Sequence, residues 1–117
     1  MKSTRSLIAA LLLTLPLSVF AIGAIAVDDE QGETAPGYGV VTDMDTKAQA
    51  TAGALKECRA AGNKNCKVAV WFETCGAYAG SSKYFGIGYG KTQKAAESAA
   101  LNDCAKSACK VLVSECE

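Results

Sequence analysis

A short pattern that uses every cysteine occurs twice in this chain and constrains its fold more than any other feature. The first copy spans residues 53–70 and the second spans residues 99–113. In each copy an Ala-Leu-x-x-Cys segment precedes a Cys-Lys-Val segment, and a third cysteine follows. The six cysteines therefore divide into two equivalent sets, which are Cys58, Cys66 and Cys75 in the first and Cys104, Cys109 and Cys116 in the second. The pattern indicates a duplicated framework held by disulfides.

The symmetry of the repeat predicts which cysteines pair. In each copy the first cysteine ends a predicted helix and the second begins the next strand after a short turn. This arrangement predicts Cys58–Cys66 and Cys104–Cys109, and it leaves Cys75 to pair with Cys116 and join the copies. Six cysteines allow many pairings, so a pairing of equivalent cysteines across the two copies remains an alternative.

The hydrophobic periodicity predicts strands and helices in a fixed order. Strands are expected over residues 38–42, 66–72, 75–79, 84–90 and 109–113, and helices over about 46–61 and 92–106. The fold class is α+β, with two β-α-β repeats joined by a hairpin and two helices packed on a four- or five-stranded sheet. Small residues recur at four-residue intervals on each helix and predict close packing on the sheet: Ala50, Ala54 and Cys58, then Ala96, Ala100 and Cys104.

The N-terminus has the pattern of a secretory signal peptide over residues 1–26. Two basic residues precede an uncharged apolar run from Leu7 to Ala26. Ala24-Ile25-Ala26 fits the small-x-small cleavage pattern, and Val19-Phe20-Ala21 is a second candidate. An uncleaved membrane anchor is the alternative, since about 20 apolar residues can span a bilayer. Residues 27–36 are acidic and polar, so we expect a flexible lead before a single domain over residues 37–117.

Charge and cysteine usage limit the compartment and the partners. Without the two basic residues of the signal, the net charge is −2. This value gives no electrostatic basis for binding nucleic acid or an anionic membrane surface. A small exported domain with an even number of cysteines is typical of an oxidising compartment, so we expect a periplasmic or secreted protein.

The residue types disfavour several kinds of site. The chain has no histidine, which removes the commonest general base and the histidine-dependent triads. Without histidine or a Cys-x-x-Cys pair, neither a metal site, a redox motif nor a cofactor is expected. The glycines at positions 86, 88 and 90 lie within a strand and not at a phosphate-binding turn, so they are interpreted as packing positions.

Carboxylates are the remaining candidates for catalysis, because a pair of them can hydrolyse glycosides. Asp43 and Asp45 are better explained as helix caps and Glu97 as a solvated helix residue. Glu73 follows an apolar strand and is the least ordinary of the set, although a turn role explains it too. We therefore expect no catalytic residues.

Aromatic residues supply the candidate binding surface. Strand alternation places Phe72 with Val68 and Val70 in the core, and Trp71 on the opposite face. Four aromatics could form an exposed patch if that face is open: Trp71, Tyr78, Tyr84 and Tyr89. The alternative is that other segments cover them.

The spaced motifs of the two copies resemble a bacterial family, domain of unknown function 4189. They are carried by residues 53–58, 66–68, 75–77, 85–88, 99–104 and 109–111, and the resemblance extends over about residues 37–116. The chain departs from the family pattern at Gly53 and shows no sign of the additional N-terminal strand that often precedes the first unit. The resemblance implies a small exported bacterial domain, and it brings no reaction or catalytic residues.

These observations predict an exported, non-enzymatic binding protein with a protein partner in the cell envelope. Its specific form would be an inhibitor or immunity protein against an envelope-acting toxin or hydrolase. The alternatives are a secreted effector and a carboxylate-dependent hydrolase that uses Glu73.

Overall fold

The chain forms two successive series of strand, strand, helix and strand. The computed structural model describes residues 21–31 and 35–117. The first series comprises β1 (Ile22–Asp28), β2 (Gly37–Met44), α1 (Lys47–Ala60) and β3 (Lys67–Phe72). The second comprises β4 (Cys75–Gly80), β5 (Phe85–Gly90), α2 (Gln93–Cys104) and β6 (Lys110–Cys116). Within residues 21–31 and 35–117, neither helix has the length and apolar character that a membrane span requires.

The described strands form two three-stranded antiparallel sheets of identical topology. The first has the order β2-β1-β3 and the second the order β5-β4-β6. Their registers correspond, because Ala26 faces Gly39 in the first sheet as Ala79 faces Gly86 in the second. The α+β class is therefore correct, but the single four- or five-stranded sheet is wrong. The duplicated unit is β-β-α-β, and β4 is the first strand of the second unit.

The layers follow from the size of the side chains on each face of the central strands. Ala24 and Ala26 of β1 pack against the small residues of α1, and Ala77 and Ala79 of β4 pack against those of α2. Successive strand residues point to opposite faces, so Ile25 and Tyr78 lie between the two sheets. That middle cluster contains six buried residues, which are Ile25, Val27, Val70, Phe72, Tyr78 and Val113. The result is a four-layer arrangement, helix-sheet-sheet-helix. Small residues fill the two helix–sheet interfaces, and larger residues fill the interface between the two sheets.

The helices lie close on their sheets because the strands beneath them carry glycine. A Cβ added at Gly39 would collide with the backbone of Cys58 and Ala54, and one at Gly86 with the backbone of Cys104 and Ala100. Both glycines are therefore packing positions, which the sequence predicts for Gly86.

The two helices begin at equivalent threonines. Thr46 Oγ1 accepts a hydrogen bond from the Gln49 backbone N–H, and Thr92 Oγ1 accepts one from that of Ala95, both at 3.1 Å. The interpretation of Asp43 and Asp45 as caps is therefore wrong. Asp43 instead has a left-handed backbone, φ 60°, and its N–H donates to Glu117 Oε1 at 2.7 Å.

The N-terminal strand overlaps the segments predicted as signal peptide and flexible lead. Ala24, Ile25 and Ala26 are completely buried in β1, which pairs with both β2 and β3. The ordered domain therefore includes Ile22–Asp28 and does not start at residue 37. The additional N-terminal strand, whose residues were assigned to the predicted signal and lead, is present. The rest of the predicted signal, residues 1–20, and residues 32–34 of the predicted lead lie outside the described residues.

A buried carboxylate fixes the end of this strand. Asp28 is 2% exposed, and its Oδ2 accepts the backbone N–H groups of Lys64 and Asn65 at 3.2 and 3.1 Å. The hydrogen bond from Asn65 contributes most to lowering the pKa of Asp28 below its ordinary value, against the opposing effect of burial. An acidic residue expected in a flexible lead therefore ties β1 to the loop after α1.

Three disulfides connect the elements. Cys58 is joined to Cys66 and Cys104 to Cys109, so each helix is linked to the strand that follows it. Cys75 is joined to Cys116, which links the central strand β4 of the second sheet to its edge strand β6. These are the pairs that repeat symmetry predicts. The third lies within the second unit, however, and does not join the two copies.

Each of β2, β3 and β6 has a register shift against its central strand, and the shift in β3 bears on a predicted core residue. Ile25 pairs with Val70 and the next residue, Ala26, pairs with Val68, so an additional residue stands in β3 at this point. Such a bulge changes which face the following side chains occupy. Val70 and Phe72 are buried between the sheets as predicted, whereas Val68 is 37% exposed and not part of that cluster.

Candidate functional site

An open groove of about 580 Å³ lies between the two sheets, along the edge strands β3 and β5. Its lining comprises residues 69–75 from β3 and the turn into β4, together with Ile87, Tyr89, Gly90 and Lys91 at the end of β5. We call it the aromatic groove. Its volume lies within the range of small-molecule pockets, roughly 300–1,000 Å³.

Two glycines from equivalent strands hold the buried aromatic of the groove. The Phe72 ring lies against both Gly23 of β1 and Gly76 of β4, and a Cβ at either position would collide with it. One ring thereby fills space at corresponding positions of both units. This explains why the second unit has no aromatic at the equivalent place, where Glu115 stands. Phe72 is fixed by the core and forms a rigid base for the residues around it.

The exposed aromatics of the groove are Trp71 and Tyr89. Trp71 alternates with Phe72 and is 38% exposed, and Lys47 Nζ lies 4.9 Å from the centroid of its ring. This separation is within the range of a cation–π contact, which orients the indole. Tyr89 on β5 is 71% exposed. The groove therefore combines one aromatic held by a lysine with another that is largely free in solvent.

The other two predicted aromatics lie at the opposite end of β5. A second cavity of about 310 Å³ is lined there by Tyr78, Tyr84, Phe85 and Lys83, among others. Tyr84 is exposed, and Lys106 Nζ lies 4.8 Å from its ring centroid. Tyr78 is only 2% exposed and stacks on Phe85 with ring centroids 6.1 Å apart. The prediction of one patch is therefore wrong: Trp71 and Tyr89 share the aromatic groove, Tyr84 lies elsewhere, and Tyr78 is core.

The hydroxyl group of Tyr78 is kept protonated by its surroundings. Burial, followed by the charge of Asp29 and a hydrogen bond to it, raises the pKa of Tyr78 to about 12. Asp29 also forms an ion pair with Lys67, with Nζ and Oδ1 3.2 Å apart. The contacts of Asp29 with Lys67 of β3 and Tyr78 of β4 tie the segment after β1 to both sheets. Because its pKa is raised, the phenol of Tyr78 is unsuited to act as a base near neutral pH.

The candidate carboxylates are not gathered into one site. Glu73 is exposed on the rim of the aromatic groove, and no second acidic residue stands among the described residues that line it. Asp43 and Asp45 precede α1, and Glu97 lies on α2. The groove therefore does not offer the two facing carboxylates that glycoside hydrolysis uses. Within residues 21–31 and 35–117, no cluster of three or more histidine, cysteine or acidic residues could hold a metal ion.

Ile87 and Lys91 of the groove, and Lys47 beside it, were not predicted from the sequence, although a signal for the first two is present. In Phe85-Gly86-Ile87-Gly88-Tyr89 the large residues alternate with glycine, which indicates that Phe85, Ile87 and Tyr89 share one face of β5. Lys91 directly follows β5, so its place at the groove follows from that of Tyr89. Lys47 could not be found in this way, because its contact with Trp71 depends on how α1 lies on the sheet.

Comparison with known proteins adds a family and a structural relative. The family model described as "Domain of unknown function (DUF4189)" matches residues 22–116, starting at the first residue of β1. The NMR structure of Rv1813c from Mycobacterium tuberculosis is similar, with a TM-score of 0.62 and 30% sequence identity. That similarity covers 90% of this chain and 81% of the other. The curated proteins contain no match to this sequence.

Proposed function

This chain belongs to the DUF4189 family, and we propose that it is an exported, non-enzymatic protein that binds another protein through the aromatic groove. Its three disulfides indicate an oxidising environment outside the cytoplasm. We place its action in the periplasm or the secreted fraction. The observation that carries the proposal is the exposed pair Trp71 and Tyr89 on a concave surface between two edge strands.

The composition of the groove favours a protein partner. Tryptophan and tyrosine are enriched among the residues that dominate binding energy at protein interfaces. Lys91 and Glu73 add one charge of each sign to the lining. Charges at a rim contribute to orientation and to the choice of partner more than to affinity. A partner is therefore expected to insert an apolar side chain beside Tyr89 and to place polar groups near the two charges.

The rigidity of the scaffold supports the more specific form of an inhibitor or immunity protein. The aromatic base of the groove is enclosed by both sheets, and a disulfide joins Cys75 in its lining to β6. A preformed surface loses little conformational entropy on binding, which favours tight complexes. We propose an envelope-acting toxin or hydrolase as the partner.

Site-specific photo-crosslinking in the producing cells tests the location of the site. A photoreactive phenylalanine analogue replaces Tyr89 in one variant and Tyr38 in a matched control. Tyr38 is also exposed but lies on β2, the edge strand on the other side of the first sheet. We expect a discrete protein adduct from position 89 and none from position 38. Equal adducts from both positions, or none from position 89, would contradict the proposal.

The identified partner then allows a quantitative test. Tyr89→Ser is expected to weaken binding at least tenfold, equivalent to about 1.4 kcal/mol, whereas Tyr38→Ser should leave affinity unchanged. Both side chains are exposed, so neither change is expected to alter the fold, which circular dichroism would verify. Equal affinities of parent and Tyr89→Ser would show that binding takes place elsewhere.

A further inference from the structure

The position of β1 distinguishes between the two candidate bonds for removal of the signal peptide. We propose that the Ala21–Ile22 peptide bond is hydrolysed during export, so that the mature protein begins at Ile22. The inference rests on the export contained in the proposed function. The reaction consumes one water molecule and leaves a carboxylate on Ala21 and an ammonium group on Ile22.

Cleavage after Ala26 is incompatible with the fold. It would remove residues 22–26 of a seven-residue strand and leave only Val27 and Asp28. β1 is the central strand of its sheet, and neither β2 nor β3 has the other as its neighbour. The sheet would therefore lose the strand that connects its two edges. Any bond later than Ala21–Ile22 shortens this strand.

The burial of the removed segment reinforces this conclusion. Ala24 and Ala26 are completely buried against α1, and Ile25 is completely buried between the sheets. Their loss would expose the small-residue face of α1 and open the middle layer. A cavity left by missing core side chains destabilises a protein beyond the loss of the transfer free energy.

The sequence supplies a suitable cleavage pattern immediately before the strand. Val19-Phe20-Ala21 has small or β-branched residues at the two positions that define the small-x-small pattern, after an apolar run that begins at Leu7. Ala21 itself lies outside β1. Cleavage there removes the apolar run and keeps every residue of the strand.

The structure also provides a partner for the charge that cleavage creates. Glu117 Oε2 lies so close to Gly23 that an added Cβ would approach it to 2.5 Å. Ile22, which would carry the new ammonium group, is the residue directly before Gly23 and therefore lies near this carboxylate. Opposite charges at short separation attract each other, so the mature terminus is electrostatically favourable at this place.

N-terminal sequencing and intact-mass measurement of the full chain, produced with its own N-terminus and recovered from the envelope fraction, test the proposal. We expect the sequence to begin Ile-Gly-Ala-Ile-Ala. Exported protein that begins at Val27 would overturn this inference and leave export intact. Uncleaved protein confined to the cytoplasm would overturn both export and this inference, so the two failures are distinguishable.

Two fusions separate the effect of the fold from that of the cleavage site. A foreign cleavable signal is placed directly before Ile22 in one fusion and directly before Val27 in the other. The first is expected to accumulate as an oxidised, protease-resistant protein, and the second should lose that resistance. Equal accumulation and resistance of the two proteins would overturn the proposal, because residues 22–26 would then be dispensable.

Discussion

At the scale of single residues, the helix–sheet contacts depend on positions where the strand has no side chain. Gly86 allows α2 to lie against β5, because an added Cβ would meet the backbone of Cys104 and Ala100. Backbone atoms cannot rotate away as a flexible side chain can. The whole helix would have to move to admit a methyl group.

The substitution Gly86→Ala is therefore expected to destabilise the protein by about 1–3 kcal/mol, the usual cost of overpacking. Gly53→Ala is the matched control. It lies in α1, its added Cβ would lie 3.2 Å from Val41 Cγ1, and the second unit has alanine at the corresponding position 99. Alanine also favours a helix by roughly 1 kcal/mol over glycine, so this control should stay within about 1 kcal/mol of the parent. Urea denaturation measures both, and an unchanged stability of Gly86→Ala would contradict the packing argument.

The buried phenol of Tyr78 predicts how stability depends on alkaline pH. Burial and Asp29 raise its pKa to about 12, above the value of about 10 for an unfolded tyrosine. The stabilisation from neutral Tyr78 is therefore complete below pH 10 and is lost as the pH rises from about 10 to about 12.

Asp29→Asn should lower the pKa of Tyr78, because it removes a negative charge beside the forming phenolate. Phenolate absorbance follows the titration, and a Tyr78 that titrates at the ordinary value in the parent protein would contradict this account.

The contrast between Phe72 and Tyr78 shows what alternation along a strand can predict. Alternation correctly places Phe72 in the core and Trp71 on the other face, because β3 is an edge strand with one covered and one partly open side. Tyr78 lies on β4, where every residue is buried. This central strand is covered on one face by a helix and on the other by a sheet, so its sequence does not alternate between polar and apolar residues. Without that alternation, the sequence of β4 does not show that Tyr78 belongs to the core.

At the scale of elements, the unit of duplication is longer than the cysteine pattern. Gly23-Ala24-Ile25-Ala26 of β1 corresponds to Gly76-Ala77-Tyr78-Ala79 of β4. This correspondence was readable in the sequence. It was missed because β1 continues the apolar run of the predicted signal, and because the small residues required beneath α1 also resemble a cleavage site. The cysteines and the glycines of β5 lie outside that ambiguity, and their positions were predictable, whereas the cap of the first helix is Thr46 and not the predicted Asp43 or Asp45.

The disulfides are expected to contribute unequally to stability. Cys75–Cys116 closes a loop with a sequence separation of 41, whereas Cys104–Cys109 closes one of only 5. The chain-entropy model gives about 4 kcal/mol for the long loop and about 2 kcal/mol for the short one. Replacing both cysteines of the long loop with alanine should therefore reduce the free energy of unfolding by about twice as much as the same change in the short loop. Equal losses in denaturant titrations would contradict the model.

At the scale of the whole molecule, the two units are stable because each covers a face that the other leaves open. One face of each sheet is covered by its helix, and the other is apolar and meets its counterpart through residues such as Ile25, Phe72 and Tyr78. Neither unit buries this face alone, so the two should unfold together. The number and order of the elements do not determine whether two units extend one sheet or stack as two. The expectation of a single sheet was wrong for this reason.

Native-state amide hydrogen exchange of the mature protein tests the central claim, that β1 is the core strand of the first unit as β4 is of the second. We expect the hydrogen-bonded amides of both strands to exchange only through global unfolding, with the free energy of opening equal to that of denaturant unfolding. Rapid exchange in β1, typical of a frayed terminus, beside slow exchange in β4 would contradict the claim.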